Sequence, residues 1–223
     1  MLERTHICFD LDGTLINSVP LMKDSWENVS TTLNLKIGWD AYKKNIGLHF
    51  SEICENLGLK DVEDKVSDLY FGYNKANIDR IELCPNVKEA LALIEARNIS
   101  WSIITSKPRQ TTTGILERFN FNPDALVCSD DVSKGKPNPE AAQVLKSRLE
   151  VADDTDFIYV GDTVSDFIFA INSGFHFIRF DPPSPYGGPA GSSDDPDAFR
   201  HVLNPCRAFS DMQELVSDII GGA

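Results

Sequence analysis

Hydrophobic positions along this chain of 223 residues follow two patterns that alternate. Short runs of β-branched and aromatic residues, each followed by a polar or glycine-containing turn, are typical of buried strands. These runs lie at residues 5–9, 99–104, 125–128, 157–160 and 175–180. Between them, apolar residues recur at helical spacing, as in Val87, Ala90, Leu91 and Ile94. Alternating strands and helices predict an α/β fold with a doubly wound, Rossmann-like parallel sheet.

One interval breaks this alternation. From residue 19 to residue 80 we find no strand pattern, only helical stretches such as 51–57 and 62–77. The interval is longer than one crossover connection needs, so we predict a small all-helical domain inserted after the first strand. The expected division is a Rossmann-like core of residues 1–16 and 84–223 and an inserted helical domain of residues 17–83. Prolines and glycines between residues 182 and 196 predict a surface loop.

Composition narrows the possible partners. The chain carries 34 Asp and Glu against 21 Lys and Arg, a net charge of −13, whereas nucleic acids and anionic membranes attract basic proteins. No apolar run approaches the roughly 18 residues of a membrane span, and the N-terminus lacks the pattern of a signal peptide. Five scattered cysteines without a C-x-x-C pair indicate reduced thiols. We therefore expect a cytoplasmic protein that binds neither nucleic acid nor membrane.

An acidic motif, F-D-L-D-G-T-L, directly follows the first predicted strand and contains Asp10 and Asp12. Ligands of open α/β sheets gather at the carboxyl ends of strands. Two carboxylates at this spacing can share a divalent cation or divide nucleophilic and acid–base duties. A structural turn is the alternative. A calcium-binding loop is excluded, because the glycine is in fourth place and the twelfth residue is Leu21 rather than Glu.

A second acidic motif, G-D-T-V-S-D, follows the fourth predicted strand and contains Asp162 and Asp166. Asp166 is also suited to capping the helix that follows. Carboxylates from two strand ends that converged in one crevice would repel one another unless a hard cation lay among them. The two acidic motifs together therefore favour a metal site.

Two further motifs contain groups that are suited to binding an anion. Thr105 and Ser106 end the second strand with hydroxyls and backbone N–H groups, although a polar turn with a solvated Lys107 is the plainer interpretation. The segment K-G-K-P-N-P predicts a rigid turn that could hold one lysine over a phosphate. Lys134 and Lys136 are rivals for that role.

Taken together, D-x-D-G-T, the threonine after strand two, G-K-P-x-P and G-D-x-x-x-D resemble the haloacid dehalogenase-like hydrolase superfamily. The resemblance covers almost the whole chain and is closest to the phosphoglycolate-phosphatase-like branch with a helical cap. It implies a phosphatase that uses Mg²⁺ and acts on a small phosphorylated metabolite, either phosphoglycolate-like or a sugar phosphate. We expect a monomer or a homodimer, and the sequence does not decide between the two.

The resemblance implies roles for the motif residues. Asp10 would be the nucleophile that forms an aspartyl-phosphate intermediate, and Asp12 the general acid and base. Mg²⁺ would be held by the carboxylates of Asp10 and Asp162 and by the backbone carbonyl of Asp12. The remaining roles are phosphate binding by Thr105, Ser106 and Lys136, and orientation of a metal-bound water or of Lys136 by Asp166. The G-K-P context favours Lys136 over Lys134.

Within the insert, the segment N-I-G-L-H-F (45–50) resembles a glycine-containing loop that this family turns towards the active site. We predict that His49 in this loop contacts the substrate. The alternatives are that it caps the helix beginning near Ser51 or packs within the cap.

Four alternatives to a phosphatase remain open or are disfavoured by particular residues. Asp12 argues against a metal-free dehalogenase, and Thr14 argues against a sugar phosphomutase, which usually has an apolar residue there. A non-enzymatic phosphoacceptor would need neither Asp12 nor a cap. A binding protein that had lost activity would not retain every catalytic position. Asn17 and Ser106 depart from common family residues, so the motifs leave the substrate open.

Overall fold

The structure, a computed structural model, describes residues 4–152, 154–183 and 207–221. Its strands are β1 (Thr5–Phe9), β2 (Ile16–Asn17), β3 (Glu82–Leu83), β4 (Ser100–Ile104), β5 (Ala125–Val127), β6 (Asp156–Gly161), β7 (His176–Phe180) and β8 (Ala208–Phe209). Its α-helices are α1 (Val19–Thr32), α2 (Trp39–Lys43), α3 (Phe50–Asn56), α4 (Glu63–Ala76), α5 (Val87–Ala96), α6 (Arg109–Phe119), α7 (Glu140–Arg148), α8 (Val164–Ser173) and α9 (Met212–Gly221). Short 3₁₀ turns lie at Lys60–Val62, Ile78–Arg80 and Ser129–Asp131.

Six parallel strands form one sheet in the order β5-β4-β1-β6-β7-β8. Helices cover both faces, and a separate hydrophobic cluster lies on each face. This is the predicted α/β, Rossmann-like fold, and the fold class is confirmed. The five predicted strands all form, with ends within one residue of those expected. Two features were missed: the edge strand β8, and a short antiparallel ribbon in which Ile16 pairs with Leu83.

The central strand explains how the sheet builds a site. β1 lies between β4 and β6, and its residues Ile7, Cys8 and Phe9 are completely buried. Strands covered on both faces are continuously apolar, so polar residues appear only where each strand ends. Because the three strands are parallel neighbours, the residues that follow them meet at one edge of the sheet.

Residues 19–80, all of them described, form helices and 3₁₀ turns but no strand. They pack around a hydrophobic cluster of their own that includes Trp26, Val29 and Tyr70. The rings of Trp26 and Tyr42 stack with centroids 4.5 Å apart. We call this part of the chain the helical segment. The β2–β3 ribbon lies where the chain leaves the sheet for this segment and returns.

No helix in the described ranges is long and apolar enough to cross a membrane. Residues 184–206 lie outside the described ranges, and so does most of the surface loop predicted at 182–196. The four cysteines within the described ranges are free and buried. Burial raises the pKa of Cys8 to about 12 and that of Cys54 and Cys128 to about 11, so these thiols stay protonated and inert.

Candidate active site

Polar side chains that follow three neighbouring strands lie together at one edge of the sheet. Asp10 follows β1, Thr105 follows β4 and Asp162 follows β6, and each is about 95% buried. The backbone N–H of Asp10 donates to the carbonyl of Val160 at 2.8 Å, and that of Thr105 donates to Val127 at 2.9 Å. Ladder-type hydrogen bonds therefore fix these backbone positions beyond the last strand residue.

Lys136 lies among the carboxylates. Its Nζ is 2.6 Å from Oδ1 of Asp10 and 2.6 Å from Oδ1 of Asp166. It also donates to the hydroxyl of Tyr159 at 3.0 Å. Burial opposes the charge on Lys136, but the two carboxylates outweigh it and raise the pKa of this lysine well above its usual value. Its rival Lys134 is exposed, so the structure brings only Lys136 of the pair to the acidic residues.

Asp166 is bonded through both oxygens. Oδ1 pairs with Lys136, while Oδ2 accepts hydrogen bonds from the hydroxyl and the backbone N–H of Thr163, at 2.6 and 3.0 Å. Thr163 accepts in return from the N–H of Asp166, which completes a capping box at the start of α8. The two interpretations of Asp166 from the sequence, helix cap and partner of Lys136, therefore coexist in one side chain.

The glycine of the first motif makes room for Asp162. Gly13 has φ of +89°, a conformation that other residues rarely adopt. A Cβ at Gly13 would lie 2.3 Å from Oδ2 of Asp162. The hydroxyl of Thr14 donates to Oδ1 of the same carboxylate at 3.2 Å. The D-x-D-G-T motif therefore both supplies an acid and positions the acid from β6.

These carboxylates suit a metal ion. Asp10, Asp162 and Asp166 each offer an oxygen within 4.8 Å of the others, and all three are buried. Burial raises the pKa of Asp10 to about 7 and that of Asp162 well above its usual value. One lysine does not balance three buried carboxylates, so a hard divalent cation with oxygen ligands would stabilise their charged forms. The donor set fits a divalent metal ion.

Asp12 has two partners that the sequence did not indicate. Nζ of Lys107 lies 3.1 Å from Oδ1 of Asp12, and the hydroxyl of Ser18 donates to the same oxygen. The side chain of Lys107 is only 6% exposed, so its interpretation as a solvated turn residue is wrong. The T-S-K pattern gave no sign of this, because the contact depends on how β4 lies beside β1.

A cleft, partly open to solvent, lies between the sheet edge and the helical segment. We call its sheet side the core wall: Asp10, Asp12, Thr105, Ser106 and Lys107. We call its opposite side the helical wall: Tyr42, Ile46, Phe50, Ile53, Tyr70 and Phe71. The hydroxyl of Ser106 donates to the carbonyl of Gly47 at 2.9 Å and so joins the two walls.

The loop predicted to face the site does reach the cleft. Gly47 has φ of +97°, and a Cβ there would lie 3.3 Å from Oγ1 of Thr163. His49 lies beside the cleft rather than in its lining. It packs closely against Gly135, since a Cβ added to that glycine would lie 2.9 Å from the Cβ of His49. It precedes α3 but makes no side-chain capping hydrogen bond. Its contact with substrate stays a prediction.

A Rossmann-like sheet with buried carboxylates, a lysine and hydroxyls at adjacent strand ends places this chain in the class of α/β proteins whose site is suited to phosphoryl transfer. The chain belongs to the haloacid dehalogenase-like hydrolase family, which it matches over residues 7–180. The resemblance drawn from the motifs is thereby confirmed.

Named relatives agree with this assignment. The chain is 30% identical over 177 residues to pyrophosphatase PpaX of Halalkalibacterium halodurans, covering 78% of this chain and 81% of that one. It is 23% identical over 234 residues to phosphoglycolate phosphatase of Psychrobacter arcticus, covering 98% and 97%. A hydrolase from Pseudomonas syringae shares the fold, with a TM-score of 0.80, 21% identity and coverage of 98% and 99%. The chain is accordingly an enzyme, a hydrolase of the phosphatase type, in a family that generally uses a divalent metal ion.

Proposed function

We propose that this enzyme is a Mg²⁺-dependent phosphatase that hydrolyses a small phosphomonoester through an aspartyl-phosphate on Asp10. One observation carries the proposal: Asp10 is buried against Lys136 through Oδ1 and also lines the cleft. A carboxylate held in this way can present an oxygen to a phosphorus atom in the cleft without having to reorient. The hydroxyl of Thr105 lies in the same wall and can donate to a phosphoryl oxygen, whereas that of Ser106 would have to exchange its hydrogen bond to the Gly47 carbonyl for one to phosphate.

The chemistry divides between the two aspartates. The carboxylate of Asp10 attacks phosphorus, and the bond from phosphorus to the leaving oxygen breaks as Asp12 donates its proton to that oxygen. Asp12, now a carboxylate, takes a proton from a water molecule, which attacks the phosphorus and releases Asp10. Lys136 stays protonated beside Asp10 and offsets negative charge throughout.

The carboxylates of Asp10 and Asp162, with the backbone carbonyl of Asp12, are the proposed ligands of Mg²⁺. When bound, the ion supplies positive charge between an anionic nucleophile and an anionic substrate. Both oxygens of Asp166 are already hydrogen-bonded, so its proposed role is to hold Lys136 rather than to ligate the ion directly.

We propose that residues 17–83 act as a cap domain on a core of residues 1–16 and 84–223. Two observations support this division: the helical segment has its own hydrophobic cluster, and the β2–β3 ribbon lies at both junctions. A cap over the phosphate site excludes water and limits the leaving group to a small molecule, which favours a phosphorylated metabolite. The buried free thiols support the predicted cytoplasmic location.

Two substitutions that preserve side-chain shape test the mechanism. With a generic aryl phosphate and Mg²⁺, Asp10→Asn should lower kcat by at least about 10⁴-fold, because the nucleophile is lost. Asp12→Asn keeps the nucleophile and should slow hydrolysis of the intermediate, so that phosphoenzyme accumulates. Ile171→Asn, at an exposed site on α8, is the control and should retain full activity. Near-normal turnover by Asp10→Asn would overturn the proposal.

A further inference from the structure

We infer that the leaving group of the substrate is apolar: an alkyl or aryl alcohol that carries no second charged group. This inference rests on the proposed phosphatase function and extends it to the class of ester. It follows from the helical wall, which faces the part of the substrate beyond the phosphate.

The helical wall is made of aliphatic and aromatic side chains that already pack against one another. The ring of Phe50 lies 5.2 Å from that of Tyr70 and 4.7 Å from that of Phe71, centroid to centroid. The rings of Tyr42 and Tyr70 lie 5.4 Å apart, centroid to centroid, and burial raises the pKa of both hydroxyls, so these groups stay uncharged. A substrate group that enters the cleft therefore meets hydrocarbon surface.

Among the described lining residues, the helical segment contributes no charged side chain to the cleft. Every lysine and arginine between residues 17 and 83 is exposed. A carboxylate or a second phosphate on the leaving group would therefore lose its hydration against this wall without gaining an ion pair, which is strongly unfavourable. Sugar hydroxyls would likewise lose hydrogen bonds to water, and the helical wall returns few, since its side-chain polar atoms are the hydroxyls of Tyr42 and Tyr70.

Lys107 does not supply the missing cation. It belongs to the core wall, and its Nζ is 3.1 Å from Oδ1 of Asp12. A second anion bound there would compete with Asp12 for this lysine. The cation on the core wall is thus already in contact with Asp12, so an anionic leaving group would have to displace that contact and otherwise meets an apolar environment.

Phosphate esters of three primary alcohols, assayed with Mg²⁺, test the inference without relying on a variant. Butyl phosphate, glycerol 3-phosphate and phosphoglycolate present alkyl leaving groups with no charge, added hydroxyls and added carboxylate respectively. We expect kcat/KM for butyl phosphate to exceed that for glycerol 3-phosphate by at least about 10-fold, and that for phosphoglycolate by more. Phenyl phosphate serves as the reference for turnover.

The outcomes separate this inference from the proposed function. A preference for glycerol 3-phosphate or phosphoglycolate would overturn the inference and leave the phosphatase function standing. Failure to hydrolyse any of the four esters would overturn the proposed function itself. A preference for butyl phosphate would support both.

A gain of charge in the cleft sharpens the test. Leu48 is half-buried and lines the cleft, so Leu48→Lys should raise kcat/KM for phosphoglycolate relative to butyl phosphate by about 10-fold. Ile171→Lys adds the same charge at a residue that is 59% exposed, and it should leave the ratio unchanged. Equal ratios in the two variants would contradict the inference. The wild-type comparison decides the matter if Leu48→Lys does not fold.

Discussion

The core wall and the helical wall face the same cleft but are built on opposite principles. In the core wall, charged groups are buried and each is held by a named partner, as Asp10 is by Lys136 and Asp12 by Lys107. In the helical wall, the side chains are aliphatic or aromatic, and ring contacts such as Phe50 with Tyr70 hold them. The core wall holds charged side chains in fixed positions, whereas the helical wall presents a surface of defined shape and low polarity to the cleft.

This difference separates two tasks of the enzyme. The phosphoryl group and its reaction are the same in every phosphomonoester, so a fixed, charged wall can serve them all. The leaving group is what varies, and the wall that meets it can change without disturbing the chemistry. Changes to the core wall should therefore affect turnover of every ester, whereas changes to the helical wall should alter the preference among esters.

Short of removing the nucleophile, metal removal should have the largest effect, and it should act only through the core wall. With a chelator, turnover of every ester should fall by at least about 10³-fold, because the carboxylates and the phosphate would repel one another without a cation between them. Added Mg²⁺ should restore it, and Ca²⁺ should inhibit, since its larger and more variable coordination can occupy both oxygens of Asp10. Circular dichroism should show an unchanged fold. Full activity after exhaustive chelation would show that the reaction does not require a metal ion.

Lys136→Met should cost about 3–5 kcal/mol in the free energy of unfolding at pH 8, because it leaves buried carboxylates without their cation. Lys134→Met, the same change two residues away at an exposed site, should cost little. Denaturant titrations of both variants measure the difference. A loss of similar size in the two variants would show that the ion pairs of Lys136 do not support the core wall.

The pH dependence of this loss has a defined sign. Burial raises the pKa of Asp10 to about 7 in the folded enzyme from 3.8, and the loss of Lys136 raises it further. A carboxyl group with a raised pKa binds protons more tightly when folded, so its contribution to stability grows as pH falls from about 8 towards 4. The deficit of Lys136→Met should therefore shrink in acid.

Lys107→Met should have a smaller effect that depends on the leaving group. Asp12 keeps Ser18 but loses the contact with Lys107 that fixes the orientation of its carboxyl group, so we expect kcat for an alkyl phosphate to fall by about 10- to 100-fold. The fall should be smaller for 4-nitrophenyl phosphate, whose leaving group needs little help from a proton. Lys88→Met, at an exposed residue of α5, is the control. Equal losses for both esters would argue against a role for Lys107 in positioning the acid.

The smallest effect is expected at His49. If this residue contacts substrate as predicted, His49→Ala should change the ratio of kcat/KM values among small esters by a few-fold at unchanged Tm. The effect should be modest, because His49 lies beside the cleft lining and packs against Gly135. A uniform loss of activity that tracks a lower Tm would instead assign His49 to packing.

Sequence patterns predicted the sheet because its strands are continuously apolar and end in recognisable motifs. Asp10, Asp162 and Thr105 could be placed together because parallel neighbours share one edge. The pairing of Lys107 with Asp12 could not be predicted, because it depends on side-chain reach across two strands. The two-residue strand β8 is too short to leave a hydrophobic pattern.

The helical wall could not be predicted from the sequence either, for a different physical reason. Its residues come from α2, α3, α4 and the loop between α2 and α3, and each follows the spacing of an ordinary core position. Tyr42 and Ile53 belong to the hydrophobic cluster of the helical segment and line the cleft as well. Which core residues also face the cleft depends on how the helices pack, and the spacing does not encode that.

The covalent step on Asp10 is the central claim, and direct detection of the phosphorylated residue tests it. Asp12→Asn is mixed with phenyl phosphate and Mg²⁺, quenched in acid within a turnover, digested and analysed by mass spectrometry. We predict phosphate on the peptide that contains Asp10, and none on that peptide when Asp10→Asn is treated in the same way. Phosphate on a different residue, or phenol release by Asp12→Asn with no phosphate on Asp10 at any quench time, would contradict the account.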